Sequence, residues 1–394
     1  MSHSASTPRT YAAEFVFPGH PDKLCDAIAD ALVLEAGRRE PRALVGVEVA
    51  VHRNRVFITG RIACTGAQDI DGAHIVRGVY RSAGYGQGEA GALGDGDGDG
   101  ADDHWYPGTQ ELIVEPHLCL GPLEDGEAEF REVADDQAIC IGYANSLVPT
   151  NHLPVEQWLV GRLARRLHAL RAELPALALG PDGKVLVLVR QHADTWSLAS
   201  FSCSLQQRSA SDDVALHRAV RLALADEMRL LSGLLPGLCT DLPEQLTVNG
   251  AGAFEVGGPE GDNGLSGKKL VMDAYGTRVP IGGGAWSGKD FFKADRAGGL
   301  HARRLAKLVV QLGLAREARV TLHWHPGDRE ARVLDIATPS DQPLSRERVQ
   351  QMASRVDLTL QRSGECFLVD DLVEVARWGH FETGHRPWER LARL

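Results

Sequence analysis

Three short segments concentrate residue types that bind phosphate and metal. The first is Pro18-Gly19-His20-Pro21-Asp22-Lys23, directly ahead of an amphipathic run with Leu24, Ala27, Ile28, Ala31 and Leu32. Pro21 suits the first turn of a helix and Gly37 its end. A helix start offers free amides and the positive end of a dipole to an anion, His20 and Lys23 add donors, and Asp22 can hold Mg²⁺. Read alone, the segment is a simple helix cap, and it becomes informative only with the other two. The second runs from Gly257 to Lys269 (GGPEGDNGLSGKK) and leads into an expected strand, Leu270-Val271-Met272. Its glycines allow close backbone approach to a ligand, with Asp262 and two cations beside them. The third, Gly282 to Asp290 (GGGAWSGKD), is followed by Lys293 and Asp295. From Gly283 it spells G-x-x-x-x-G-K, but Asp290 stands where a P-loop needs the Ser or Thr that binds Mg²⁺. The P-loop fold is therefore rejected, while phosphate binding is retained, with Asp295 as a second carboxylate for metal.

Lysine usage points the same way. The 42 basic residues include seven lysines and 35 arginines, so arginine serves wherever a generic surface cation will do. Lys23, Lys184, Lys268, Lys269, Lys289 and Lys293 fall in glycine-rich or loop-like segments, and only Lys307 lies in an ordinary helical pattern. An ammonium is a compact point charge that reaches phosphate oxygens where a planar guanidinium does not fit. The bias predicts that several of these lysines converge on one polyanion.

A repeated unit must position these groups. Residues 43–51 and 55–63 read as a β-hairpin followed by a helix at 68–82; 184–190 and 195–204 form a second, followed by a helix at 212–232; 318–325 and 331–338 form a third, followed by a helix at 344–361. The strands are β-branched alternating runs broken by Arg53-Asn54 and Pro326-Gly327-Asp328, and apolar spacing of three and four marks the helices, as in Leu216, Val220, Ala223 and Leu224. Two further helices are expected at 22–36 and 153–172. The pattern predicts three similar α+β domains, at 10–125, 130–256 and 257–394.

Composition narrows the class. A chain of 394 residues with 43% hydrophobic and 24% charged residues is globular and holds two or three domains. A net charge of −11 argues against a nucleic-acid role. No apolar run is long enough for a membrane helix, and the polar start at Met1–Thr10 has no secretory core, which fits a cytoplasmic protein. The seven cysteines are scattered without a C-x-x-C pair, so neither zinc nor a disulfide framework fits, and mostly buried, reduced thiols are expected. The acidic run 94–103 partly imitates a calcium loop through Asp95, Asp97, Asp99 and Gly100, yet Tyr106 stands where a bidentate Glu is required. It reads as a solvated loop.

The set GHPDK, DDQ with GYA, GGPxGDxGLSGKK, DAYG, GGGAWSGKDxxKxDR and WGHF…PWE resembles the S-adenosylmethionine synthetases, in family order from about residue 14 to 390. The resemblance implies a pseudo-threefold α+β fold and an attack of methionine sulfur on C5′ of ATP, expelling tripolyphosphate that is then hydrolysed. It implies catalytic roles for His20, Lys184, Lys269, Lys289 and Lys293. Asp22 and Asp295 would carry Mg²⁺, and Glu48 matches a K⁺ site. Phe254 would pack on the adenine, and Asp136, Asp182, Asp262, Lys268 and the Ala285 backbone would complete the nucleotide and amino-acid contacts. Family sites form between two subunits, implying a homodimer or homotetramer with ATP and a methionine-like partner.

The sequence departs from the family in its amino-acid half. Arg61 stands where the family carries a glutamate for the methionine ammonium, and Leu120–Asp125 replaces a Lys-Gln-Ser-x-Asp loop. Ala253 replaces an arginine, and Lys268 replaces another. An Arg at position 61 would repel an ammonium and attract a carboxylate, unless a gap misplaces the match or an acid from the Asp-rich loop compensates it. Two other readings therefore stand beside an adenosyltransferase: a polyphosphate or ATP hydrolase without an amino-acid site, and a non-catalytic partner subunit of a standard synthetase.

Overall fold

The computed structural model describes residues 7–86, 105–208, 213–338 and 344–390; the acidic run 94–103 lies outside them. The chain begins with β1 (Arg9–Val16), α1 (Pro21–Arg39), β2 (Leu44–His52), β3 (Arg55–Ala63), α2 (Gly72–Ala83) and β4 (Ile113–Gly121). It continues through β5 (Ala138–Asn145), α3 (Val155–Glu173), β6 (Leu179–His192), β7 (Thr195–Gln207), α4 (Asp213–Leu234) and β8 (Leu246–Val248). Next come α5 (Gly258–Gly261), β9 (Gly264–Leu265), α6 (Leu270–Asp273), α7 (Ala294–Gln311), β10 (Glu317–Trp324) and β11 (Arg332–Ala337). The described chain closes with α8 (Arg346–Ala353), α9 (Leu360–Cys366) and α10 (Leu372–Trp378). The class is α+β, as expected.

Each of the three expected hairpins forms, turning at Arg53 (φ 52°), Ala193 (φ 51°) and Gly327 (φ 89°), and each nucleates one sheet. The sheets have the orders β4-β3-β2-β9, β1-β6-β7-β8 and β11-β10-β5. Strands are borrowed across the chain: β1 joins the second hairpin, β5 the third and β9 the first. In the first sheet, Ala50 pairs with both Phe57 and Leu265, Phe57 with Glu115, and Arg55 with Ile113. The rows Glu48–Thr59–His117 and Gly46–Arg61–Cys119 share that outward face. Phe57, Ile113 and Leu265 are exposed on it. The opposite face buries Val45, Val47, Val49, Val51, Val56, Ile58 and Ile62 in the core.

Three local expectations are corrected. Helix α1 runs past Gly37 to Arg39 and stops ahead of Pro41; a Cβ at Gly37 would lie 2.5 Å from Leu368. Leu270–Asp273 is a helical turn, because the amides of Met272 and Asp273 return to the Lys269 carbonyl and Ala274 to Leu270. The helix expected over 344–361 is two pieces, because Asp357 binds the amide and hydroxyl of Thr359 and the intervening segment pairs with Glu330–Ala331. Four of the seven cysteines are buried, Cys119 is exposed, and all seven are free. Among the described residues, no helix is long and apolar enough to cross a membrane.

Candidate active site

Helix α1 is the spine of the site. His20 caps its start, with Pro21 and Asp22 in the first turn and Arg38 and Arg39 in the last, which matches the helix dipole. Asp22, Asp26 and Asp30 recur one turn apart and therefore share a face. Asp22 accepts from the Leu265 amide at 2.9 Å and from Lys269 at 2.7 Å, with Lys268 at 3.3 Å. Asp26 accepts from the Gly267 amide at 2.7 Å. Asp30 accepts from the Gly288 amide at 3.0 Å and is gripped by Arg296 at 2.6 and 2.9 Å. One helix thus anchors both glycine-rich segments. The four-residue spacing was present in the sequence, but Asp26 and Asp30 carried no motif that marked them.

The first group of site residues surrounds a cavity of about 400 Å³ lined by His20, Asp182, Lys184, Phe254, Gly257, Gly258 and Asp262. Gly258 must be glycine, since its φ is +61° and a Cβ would sit 1.9 Å from the Tyr85 hydroxyl. Its amide donates to Asp182 at 2.7 Å. Lys184 points outward from β6 and pairs with Glu14 at 2.6 Å. Burial lowers the His20 pKa, with Asp182 opposing and Lys269 assisting, so the ring is neutral near pH 7. Its Nδ1 accepts the Asp22 amide at 3.2 Å, which assigns the hydrogen to Nε2 as a donor for the cavity. Burial pushes Asp22 upward, but hydrogen bonds from Lys269 and Leu265 outweigh it and hold the carboxylate ionised below its ordinary range.

The second group is tied to α1 through Asp30, about 12 Å along the helix from Asp22 at a rise of 1.5 Å per residue. Lys289 pairs with Asp295, and Lys293 with Asp135, a partner the sequence reading passed over. These four line a cleft with Gly46, Asp136 and Gln137, and Lys289 bridges to Gly46 of β2. Gly284 makes room for Asp295, because a Cβ there would lie 2.0 Å from its carboxyl carbon. Ala285 abuts Gly267, where an added Cβ would be 2.5 Å away. One chain therefore carries the expected residues as two groups rather than one. Lys23 joins neither: it is fully buried, binds Asp273 and donates to the Ala376 carbonyl at 2.8 Å.

The first group pairs Asp22 with Lys268 and Lys269, and the second pairs Asp295 with Lys289 and Asp135 with Lys293. Among the described residues, no three His, Cys, Asp or Glu side chains gather as a metal cage. That donor set fits Mg²⁺ carried in on a polyphosphate, because Mg²⁺ keeps several waters and takes one or two protein carboxylates plus substrate phosphates. Glu48 is exposed on β2 and, among the described residues, belongs to no group of three His, Cys, Asp or Glu side chains.

Arg61 is engaged within its own chain. Its guanidinium grips Glu127 at 3.0 and 2.9 Å, donates to the Pro122 carbonyl at 2.9 Å and lies 3.5 Å from Glu124. The Glu127 hydrogen bonds raise the Arg61 pKa and lower that of Glu127. The positive charge at position 61 is thus neutralised by the altered loop that follows β4, rather than left to attract an anionic substrate.

These features define an α+β protein with two groups of lysines paired to aspartates, each beside a glycine-rich segment. The S-adenosylmethionine synthetase N-terminal domain model matches residues 9–95 and the C-terminal domain model residues 256–390. The S-adenosylmethionine synthase of Thermosynechococcus vestitus is 32% identical, covering 98% of this chain and 96% of that protein. Those of Desulforudis audaxviator and Thermus thermophilus are 33% and 32% identical, covering 97% and 98% of this chain and 95% and 97% of theirs. The chain belongs to the S-adenosylmethionine synthetase family.

Proposed function

We propose that the protein is a methionine adenosyltransferase that makes S-adenosylmethionine and releases phosphate and pyrophosphate. The observation that carries the reading is the pairing of Asp22 with Lys268 and Lys269 and of Asp295 with Lys289, each beside a glycine-rich segment. A thioether sulfur attacks C5′ and the C5′–O bond breaks toward the triphosphate. No proton moves in that step, so no general base is required. The chemistry asks instead for donors aimed at the departing oxygen and for reactants held in line. His20 would donate Nε2–H there, and Lys184, Lys268 and Lys269 would neutralise the leaving phosphates. Phe254 would pack on the adenine, with Asp182, Asp262 and the Ala285 backbone fixing the nucleoside and Asp136 the amino acid. Mg²⁺ held by Asp22 and Asp295 would supply further charge to the polyphosphate.

The two groups line separate cavities and are tied to α1 two turns apart, at Asp22 and Asp30. We therefore infer a homodimer, or a tetramer built from it, in which Lys289, Lys293 and Asp295 of one chain face His20, Asp22 and Lys269 of another. Exposed Phe57, Ile113 and Leu265 on the first sheet support an interface there. We also read 10–125, 130–256 and 257–394 as three related domains that exchange strands, Glu48 as a K⁺ ligand, and the enzyme as cytoplasmic. The test is to incubate the purified chain with ATP, Mg²⁺, K⁺ and methionine and analyse the products by mass spectrometry. An adenosyl sulfonium with both phosphate and pyrophosphate is expected. Polyphosphate hydrolysis without a sulfonium, or turnover only after adding a second synthetase, contradicts the reading.

A further inference from the structure

Asp290 stands between the two lysines of the second group and holds their segment in place. Its amide donates to the Val45 carbonyl at 3.1 Å, and one carboxylate oxygen accepts the Val45 amide at 2.7 Å, which fixes the segment on β2. The other oxygen accepts the Phe292 amide at 2.8 Å. The Asp290 carbonyl accepts the Lys293 amide at 3.2 Å, where Lys293 caps the start of α7. Asp290 therefore governs where the backbone of both Lys289 and Lys293 lies.

Arg131 reaches this carboxylate from the loop that follows β4. It is fully buried, and one terminal nitrogen donates to Asp290 at 2.8 Å and to the Ala43 carbonyl at 3.1 Å. Its guanidinium carbon lies 4.9 Å from the centre of the Phe292 ring. Nε and the other terminal nitrogen are buried without a hydrogen-bond partner among the described residues. Such a guanidinium carries a desolvation cost that an apolar side chain of similar volume would avoid, so stability alone does not account for it. The loop is fixed on either side of Arg131. Arg61 holds Glu127, and Ala134 exchanges backbone bonds of 2.8 Å with Gly327 and Asp328. The next residue, Asp135, pairs with Lys293.

Resting on the adenosyltransferase reading, we propose that Arg131 is a positioning residue for the polyphosphate. Through Asp290 it sets Lys289 and Lys293 where the phosphate oxygens arrive, and it touches no substrate itself. A lysine has a long, flexible stem, so its ammonium is aimed only as well as its backbone is held. Held lysines spend less binding energy on ordering when the anion comes in.

The test measures binding of imidotriphosphate, a tripolyphosphate that resists hydrolysis, by calorimetry with Mg²⁺ present. Arg131→Met should weaken binding by about tenfold, the value of one charge-assisted hydrogen bond to the ligand. In a Lys289→Ala/Lys293→Ala background the same substitution should weaken it less than about twofold, because the groups it positions are gone. If Arg131→Met does not fold, Arg131→Lys keeps the charge but loses the planar fork, and the same comparison holds with a smaller loss. Equal losses in the two backgrounds would show that Arg131 acts on the fold alone and overturn the inference, as would no loss with both lysines present. A native protein that binds imidotriphosphate but forms no sulfonium overturns the adenosyltransferase reading and leaves the lysine comparison to decide the role of Arg131. One that does not bind imidotriphosphate overturns both.

Discussion

Position 61 is where residue chemistry decides most. Arg61 ties the strand β3 to the loop at 122–127 through a bidentate pair with Glu127, and the same loop continues to Asp135 beside Lys293. Arg61→Glu would set a third carboxylate against Glu124 and Glu127 and release that tie. Its methionine KM should rise several-fold, and adding Glu127→Arg should recover most of the loss. The coupling should be about 1 kcal/mol, typical of a half-exposed bidentate pair. A double variant as impaired as Arg61→Glu alone would show that the pair does not act as a unit. The reversal of charge at 61 was legible in the sequence. A compensating acid was raised there from the Asp-rich loop, but not Glu127, because it lies 66 residues away and only the parallel pairing of β3 with β4 brings its loop alongside.

At the scale of elements, α1 and α7 carry the ordering. Asp30 on α1 and Arg296 on α7 are both fully buried, and Asp30 also holds the Gly288 amide beside Lys289. Asp30→Ala would leave a buried guanidinium without its partner, costing about 3–5 kcal/mol in chemical denaturation. A loss below about 1 kcal/mol would contradict that role. His301 on α7 supplies a pH signature. Burial, aided by Arg304, pushes its pKa from 6.5 to about 3, so the folded ring stays neutral while the unfolded ring binds a proton on acidification. Stability from this residue is therefore lost as pH falls below 6.5, by about 2 kcal/mol at pH 5. In His301→Gln that loss disappears, so the gap in stability between native protein and variant should narrow from pH 7 to pH 5; a constant gap would refute the assignment. The hairpins and long helices were legible because their apolar periodicity is strong. The broken helix at 354–359 was not, because tertiary pairing with Glu330–Ala331 decides it, nor was the turn at 270–273, where a short apolar run closes by local bonds back to Lys269 and Leu270.

For the whole molecule, strand exchange among three sheets gives each hairpin a foreign neighbour and leaves the paired lysines and aspartates in two groups tied to one helix. The motifs named most of those residues, and the family resemblance implied that they meet between chains. A mixing experiment decides it. Asp22→Asn disables one group and Lys289→Ala the other, and each purified variant alone should be nearly inactive. Unfolding and refolding the two together in equal amounts should restore about a quarter of native S-adenosylmethionine formation, since half the dimers are mixed and each mixed dimer holds one undamaged site. Activity no greater than the sum of the two inactive parents would contradict a site shared between subunits.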